Sequence, residues 1–313
     1  MASPLGERDL YVGLTDRDWY EFLLRRPGLD EVNFWKPGGG GLNARLGAPF
    51  LFKLKAPLHA IVGVGFFERS ARYPIREAWE FFGEKNGVST AAKLLELTSH
   101  YIGHSIDDRH EIGCIFLDQP TFFDRSSWID APRDWKQNIQ TGMYYDMNSG
   151  EGARVWNEVR DRLGSTLPPP ALSAGSNLPF GGRGKPALYL PRQGQGTFRA
   201  LVLDAYDRRC AITGERTIPV LEAAHIAPFA RQQRHEISNG IALRSDIHRL
   251  FDTGYVSIRP DHRFVVSEQL RDDFSNGRVY YEMDGREIRL PVNPSVQPNL
   301  EALERHYDEV FKR

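Results

Sequence analysis

CAITGERTIPVLEAAHIAPFARQQRHEISNGIALRSDIHRLFDTGYV, residues 210–256, organises the reading of this chain, because it places His, Asn, His and Asp at spacings that suit hydrolytic chemistry. VLEAAHI reads as a short strand ending on His225, ARQQRHEIS as a polar loop, and NGIAL as a second strand after the turn signal Asn239-Gly240. SDIHRLFDTG reads as a helix with Ser245 as N-cap and Gly254 as its stop, so His248 and Asp252, four residues apart, share one face. Two antiparallel strands and a helix then gather His225, His248 and Asp252 around one small cavity that suits a divalent metal. His225 is the candidate general base, since imidazole titrates near neutral pH. His248 and Asp252 are the candidate metal ligands. Asn239, whose amide both donates and accepts, is expected to bridge the loop after His225 and complete the catalytic set.

These residues carry a resemblance: the segment is similar to HNH (ββα-metal) endonucleases, in the subgroup whose first His sits in an AAHI context. The resemblance spans roughly residues 187 to 313. It implies hydrolysis of phosphodiester bonds, with His225 as the base, Asn239 as the middle Asn, His248 as the helix His and Asp252 as the second helix ligand. It also implies a divalent cofactor, Mg²⁺, Mn²⁺ or another transition metal. Two departures stand out. Many HNH enzymes place a metal-binding Asp or His directly before the base, where this chain has Ala224, so the metal shell is expected to be thin. The cysteines of a zinc knuckle are also missing: Thr213 stands where Cys210 would need a partner, and Arg244 and Ile247 fill the other pair. No structural zinc is expected.

The 313 residues suffice for two domains, and 41% hydrophobic with 26% charged residues is ordinary globular composition. No apolar run reaches membrane-spanning length and the start MASPLGERDLY lacks a signal core, so no membrane association is expected. Two cysteines, Cys114 and Cys210, are too few for a disulfide framework, and a reducing cytoplasm is the default expectation. A net charge of -1 leaves any nucleic-acid surface to a local patch, and the basic residues of the C-terminal half are almost all Arg.

Residues 1–163 form a first block with an α+β reading. TDRDWYEFLLRR, IREAWEFFGEKNG and STAAKLLELTSHYIG read as helices; PFLFKLK, HAIVGVGFFER and EIGCIFLDQP read as strands. His100 and His104 have helical spacing, but with no third ligand nearby they read as a solvated face. Aromatics also cluster in NFWKPGGGG, WEFFGEKNG, FFDRSSWIDAPRDW and TGMYYD, outside the expected element cores, where a flat ring could hold an extruded base. These stretches, with VGLTDRDWYEFL, PFLFKLKAPLHAIVGVGFF and IGCIFLDQPTFF, resemble an EVE domain of the PUA superfamily, particularly as found in EVE-HNH modification-dependent restriction endonucleases. That resemblance implies a small twisted β-barrel with helices and a pocket for a flipped, modified cytosine in double-stranded DNA. Asn33, Trp35, Trp79 and Trp128 are the candidate pocket residues.

Residues 164–186, rich in Gly, Pro and Ser, read as a linker, and residues 187–313 as the ββα-metal nuclease domain. GTFRALVLDAYDRR is expected to be a helix, HRFVVSEQLR and REIRLPV strands. PNLEALERHYDEVFKR is expected to be a helix with Leu300, Leu303, Tyr307, Val310 and Phe311 on one face, packing on the domain or forming a homodimer contact. The expected function is modification-dependent DNA cleavage. The alternatives are a non-cleaving modified-base reader with a degenerate HNH domain, and an HNH nuclease with an RNA-binding first domain.

Overall fold

The computed structural model describes residues 10–136, 138–164, 194–227 and 236–313. The expected linker, beyond Gly164, and residues 228–235 of the loop after His225 lie outside the described residues. Helices and sheets are mixed throughout, as the α+β expectation requires. The Cα packing divides the chain into two compact units, one of residues up to Ile75 and from Gly83 onward, the other of Arg76–Phe82 with the C-terminal residues.

The first unit runs β1 (Leu10–Thr15), α1 (Arg17–Leu24), β2 (Glu31–Lys36), β3 (Pro49–Leu54) and β4 (Ala60–Pro74). After α2 (Ile75–Phe82) it continues with α3 (Ala91–Ile102), β5 (Glu111–Phe122), β6 (Ile129–Asp130), β7 (Gly142–Tyr145) and α4 (Gly150–Gly164). Its seven strands form one sheet in the order β2-β5-β4-β3-β1-β7, with β6 paired to β4. Among the described residues only β1 and β3 run parallel. Register shifts between Val64/Phe66 and Phe67/Arg69 put bulges in the 15-residue β4, and bulges let one long strand bend enough to serve three partners. Gly63, paired with Phe52 of β3 on one side and Phe122 of β5 on the other, leaves room for β5: a Cβ there would lie 2.4 Å from the Thr121 carbonyl oxygen.

Strand alternation sends neighbouring residues of one strand to different core clusters. Phe50, Phe52 and Leu54 of β3 join Trp19, Phe34 and Leu117, whereas Leu51 joins Leu10, Val12 and Val64 beneath Val155, Val159 and Leu163 of α4. Each such fully buried side chain contributes about 1.5–3 kcal/mol relative to exposure.

Two aromatic stretches expected outside the regular elements are strands. NFWK belongs to β2, where Val32 and Phe34 face the aromatic core while Glu31, Asn33 and Trp35 face the 3₁₀ turn Gly83–Asn86. MYY belongs to β7, which closes the sheet against β1. Both faces of β2 are used, so its polar alternate residues disguise it as a loop. His104 falls past the end of α3, whose last turn is closed by Gly103 at φ 86°, so it does not share a helical face with His100.

The second unit contains α5 (Gln195–Ala205), β8 (Leu221–His225), β9 (Gly240–Arg244) and α6 (Ser245–Asp252). It continues with β10 (Val256–Ile258), β11 (Phe264–Val266), α7 (Gln269–Phe274), α8 (Arg278–Tyr281) and α9 (Leu300–Glu309). The β8–β9 pair is antiparallel, from Leu221 opposite Arg244 to His225 opposite Gly240. Three local expectations differ. Arg244, not Ser245, occupies the N-cap of α6, because β9 runs directly into the helix. HRFVVSEQLR is a strand only over Phe264–Val266 and turns helical from Gln269; REIRLPV contributes a single bridge, Arg263 to Glu287. In α9 the buried residues are Ala302, Leu303 and His306, while Leu300 and Val310 are exposed. Among the described residues no helix is long and apolar enough to cross a membrane.

Candidate active site

A buried asparagine ties the β8–β9 pair together just past His225. Asn239 is 1% exposed; its Oδ1 accepts from Ala227 N at 2.9 Å, its Nδ2 donates to Ala227 O at 3.0 Å, and its own carbonyl accepts from Ile226 N at 2.9 Å. The side chain thus extends the strand ladder by two hydrogen bonds where the main chain has turned away. His225, the last residue of β8, has its ring stacked on that of Phe198, with centroids 4.1 Å apart and 12° between planes.

The helix that follows brings His248 against the start of the same strand. His248 Nδ1 lies 2.6 Å from Glu222 Oε2, and Nε2 lies 3.4 Å from Asp252 Oδ2, so the imidazole is held between two carboxylates. Glu222 is the residue that the sequence reading missed. On an alternating strand it shares a face with Ala224, the buried position directly before His225, and so supplies from two residues earlier a carboxylate that Ala224 cannot. Partial desolvation raises the Asp252 carboxyl above the usual range; His248 pulls it down and Glu222 pushes it up. Among the described residues no group of three or more His, Cys, Asp or Glu side chains is placed to hold a metal ion. The donors that converge are two, His248 Nε2 and Asp252.

The zinc-knuckle position is filled by hydrogen bonds. Cys210 is fully buried and its Sγ accepts from Thr213 N at 3.5 Å and Arg244 N at 3.4 Å. The Arg244 guanidinium makes two bonds to the Asp246 carboxylate, each 2.7 Å, and Tyr280 adds a third to Asp246 at 3.0 Å. Arg244 and Asp246 therefore close this corner by charge pairing, and each holds the other in its ionised form.

Of the three candidate base-pocket residues in the first unit, Asn33 and Trp35 share a partner and Trp128 does not share it. Asn33 Nδ2 donates to Asn86 Oδ1 at 2.9 Å and Trp35 Nε1 donates to Asn86 O at 2.9 Å, so these two share the buried Asn86 of the turn Gly83–Asn86. Among the described residues Asn33 Oδ1 is buried with no hydrogen-bond partner. Trp128 packs elsewhere, its Nε1 3.1 Å from Tyr20 Oη and 3.2 Å from Phe123 O. Trp79 lies on α2, within the second unit. A further polar group of the first unit had no sequence signal: Lys53 is fully buried, its Nζ donates to Leu54 O at 3.1 Å and stands 4.6 Å from the centre of the Trp135 ring, and burial lowers its pKa.

Residues 210–259 match the HNH_2 family, described as HNH endonuclease; the C-terminal part of the chain therefore carries an HNH endonuclease domain. No curated protein matches. Among solved structures, the chain is similar to ASCH from Zymomonas mobilis at 11% identity, over 48% of this chain and 95% of that one, with a TM-score of 0.34. A mutant of the same ASCH protein gives 12% identity over 52% and 99%, TM-score 0.32. A structure titled as the modification-dependent TagI restriction endonuclease gives 13% identity over 91% of this chain and 77% of that one, TM-score 0.29.

Proposed function

We propose that this chain is a modification-dependent DNA endonuclease, in which the second unit hydrolyses phosphodiester bonds and the first reads 5-methyl- or 5-hydroxymethylcytosine flipped from the duplex. Such an activity serves defence against modified phage or other foreign DNA. The observation that carries the nuclease half is the His248 imidazole clamped between Glu222 and Asp252 on the helix directly following the strand pair that bears His225.

In the reaction His225 accepts the proton of the attacking water, and Asn239 holds the backbone after it through both hydrogen bonds to Ala227. His248 donates from Nδ1, the shorter contact, to the Glu222 carboxylate; Nε2 is then left to act with Asp252 as a donor pair. A neutral ring nitrogen beside a carboxylate, with a second carboxylate behind it, fits a divalent cation such as Mg²⁺, Mn²⁺ or another transition metal. When bound, that ion stabilises the charge developing on the phosphate and the leaving oxygen. With His248 and Asp252 as its protein donors, such an ion would rely on water and phosphate oxygens for the rest of its shell.

The reading half rests on the EVE-like sequence of the first unit and on its aromatic content, with Asn33, Trp35 and Trp128 as the residues to test. Flipping a base costs a few kcal/mol, offset by stacking and by edge hydrogen bonds. The decisive pair of assays uses His225→Ala in the full chain. Cleavage is expected to fall by ~10²–10⁴, while binding to modified duplex stays near wild type. Cleavage by this variant at the wild-type rate would give the base to another group.

A further inference from the structure

We infer that Phe198, on a helix outside the family-matched stretch, is a positioning residue for the general base; the inference rests on the assignment of His225 to that role. The Phe198 ring is 2% exposed and lies almost parallel to the imidazole at 4.1 Å, covering one of its two faces. The same ring supports the strand opposite: a Cβ built on Gly240, the residue paired with His225, would come within 2.8 Å of Phe198 Cζ. Phe198 is therefore a floor under both the base and its strand partner, and Gly240 leaves room for it.

The helix bearing Phe198 is fixed along β8. Arg199, the next residue, donates from Nε to Leu221 O and from Nη2 to Ile218 O, each at 3.0 Å, and from Nη1 to Glu80 O at 2.7 Å. Adjacent side chains thus grip opposite ends of β8, which are about 13 Å apart at the usual strand rise. The Cβ–Cγ torsion of a histidine, χ2, is broad and roughly two-fold, so an uncovered ring would sample orientations in which its nitrogen misses the water. A parallel ring on one face narrows that range. Displacement of a reacting group by about 1 Å costs up to about a hundredfold in rate.

The test compares Phe198→Leu with Leu203→Ala in the full chain. Leu203 is fully buried on the same helix, about 140° round it from Phe198, so its truncation loosens α5 without uncovering His225. Single-turnover cleavage, DNA affinity and melting temperature are measured for both, and histidine ring protons are followed by NMR in the wild type. Phe198→Leu is expected to slow the chemical step about ten- to hundredfold at unchanged DNA affinity, and Leu203→Ala to retain the wild-type rate. In the wild type the His225 ring protons are expected far upfield, shielded by the stacked ring. A folded Phe198→Leu protein with a wild-type rate overturns the inference, as do equal rate losses in the two variants. If Phe198→Leu does not fold, unshielded His225 ring protons in the wild type overturn it by themselves. Cleavage by His225→Ala in the same assay overturns the base assignment instead, which keeps the two failures distinct.

Discussion

Lowering the pH should loosen the C-terminal helix of the nuclease unit through one residue. His306 is 4% exposed, stacked on Phe251 with centroids 3.7 Å apart, and tied on both sides: Nε2 to Phe251 O at 3.1 Å and Nδ1 to Ser257 Oγ at 2.9 Å. A carbonyl can only accept, so the proton sits on Nε2 and Nδ1 accepts from the Ser257 hydroxyl. Burial lowers the folded pKa to about 4, opposed by the Phe251 carbonyl, against 6.5 for the free side chain. The unfolded chain then binds the extra proton first, so this stability is fully present above pH 6.5 and is lost as pH falls toward 4. The gap is worth about 3 kcal/mol in all, of which about 2 kcal/mol disappears between pH 7.5 and 5. Urea unfolding of the wild type and of His306→Gln across that range isolates the effect, because other groups titrate equally in both. The stability difference between them should shrink by about 2 kcal/mol on acidification. A difference that stays constant with pH would refute a buried neutral His306.

Three further outcomes follow from the site. Asn239→Ala strands the Ala227 N–H and C=O without partners and should cost about 2–5 kcal/mol, with cleavage falling even where the protein remains folded; urea midpoints and cleavage rates measured together check both. Glu222→Ala removes the acceptor that orients His248 and should weaken Mn²⁺ binding, read by calorimetry, about 10- to 100-fold; unchanged affinity would show that Glu222 plays no part in holding the ligand. Because Cys210 and the Arg244–Asp246 pair close the knuckle position, dialysis against EDTA should abolish cleavage yet leave the melting temperature where it was. A large fall would point to a structural metal.

The strand–strand–helix order of the nuclease core was legible because each element carries its own local punctuation: Asn239-Gly240 between the strands and Gly254, at φ 77°, after the helix. The partner of His248 was not. Attention goes to the position before His225, and Ala224 there looks like a loss, whereas the carboxylate that reaches the helix comes from Glu222, and only the packed helix makes them neighbours. The α9 face was misjudged for a related reason. Leu300 and Val310 are apolar but outward, and His306 is inward because Ser257 and Phe251 O satisfy its nitrogens, a pairing 49 residues apart in sequence for the serine. In the first unit, the Phe, Ile and Val content of β3 and β5, bounded by Pro or Gly, marked them as strands, while β2 escaped because Asn33 and Trp35 spend their polar groups on Asn86. Polar residues satisfied by distant partners look like loops in a one-dimensional pattern.

The central claim is that one chain couples reading of a modified base to HNH hydrolysis. It is tested most directly by incubating the purified protein with matched plasmids carrying unmodified, methylated or hydroxymethylated cytosine, each with Mg²⁺, Mn²⁺ or another divalent ion. The account predicts cleavage of a modified plasmid in preference to the unmodified one by about ten- to two-hundredfold, the range that one small substituent in a fitted pocket supplies. It also predicts no cleavage of any plasmid in EDTA. Equal cleavage of all three plasmids would contradict the reader, and modified-plasmid binding with no cleavage under any ion would contradict the nuclease.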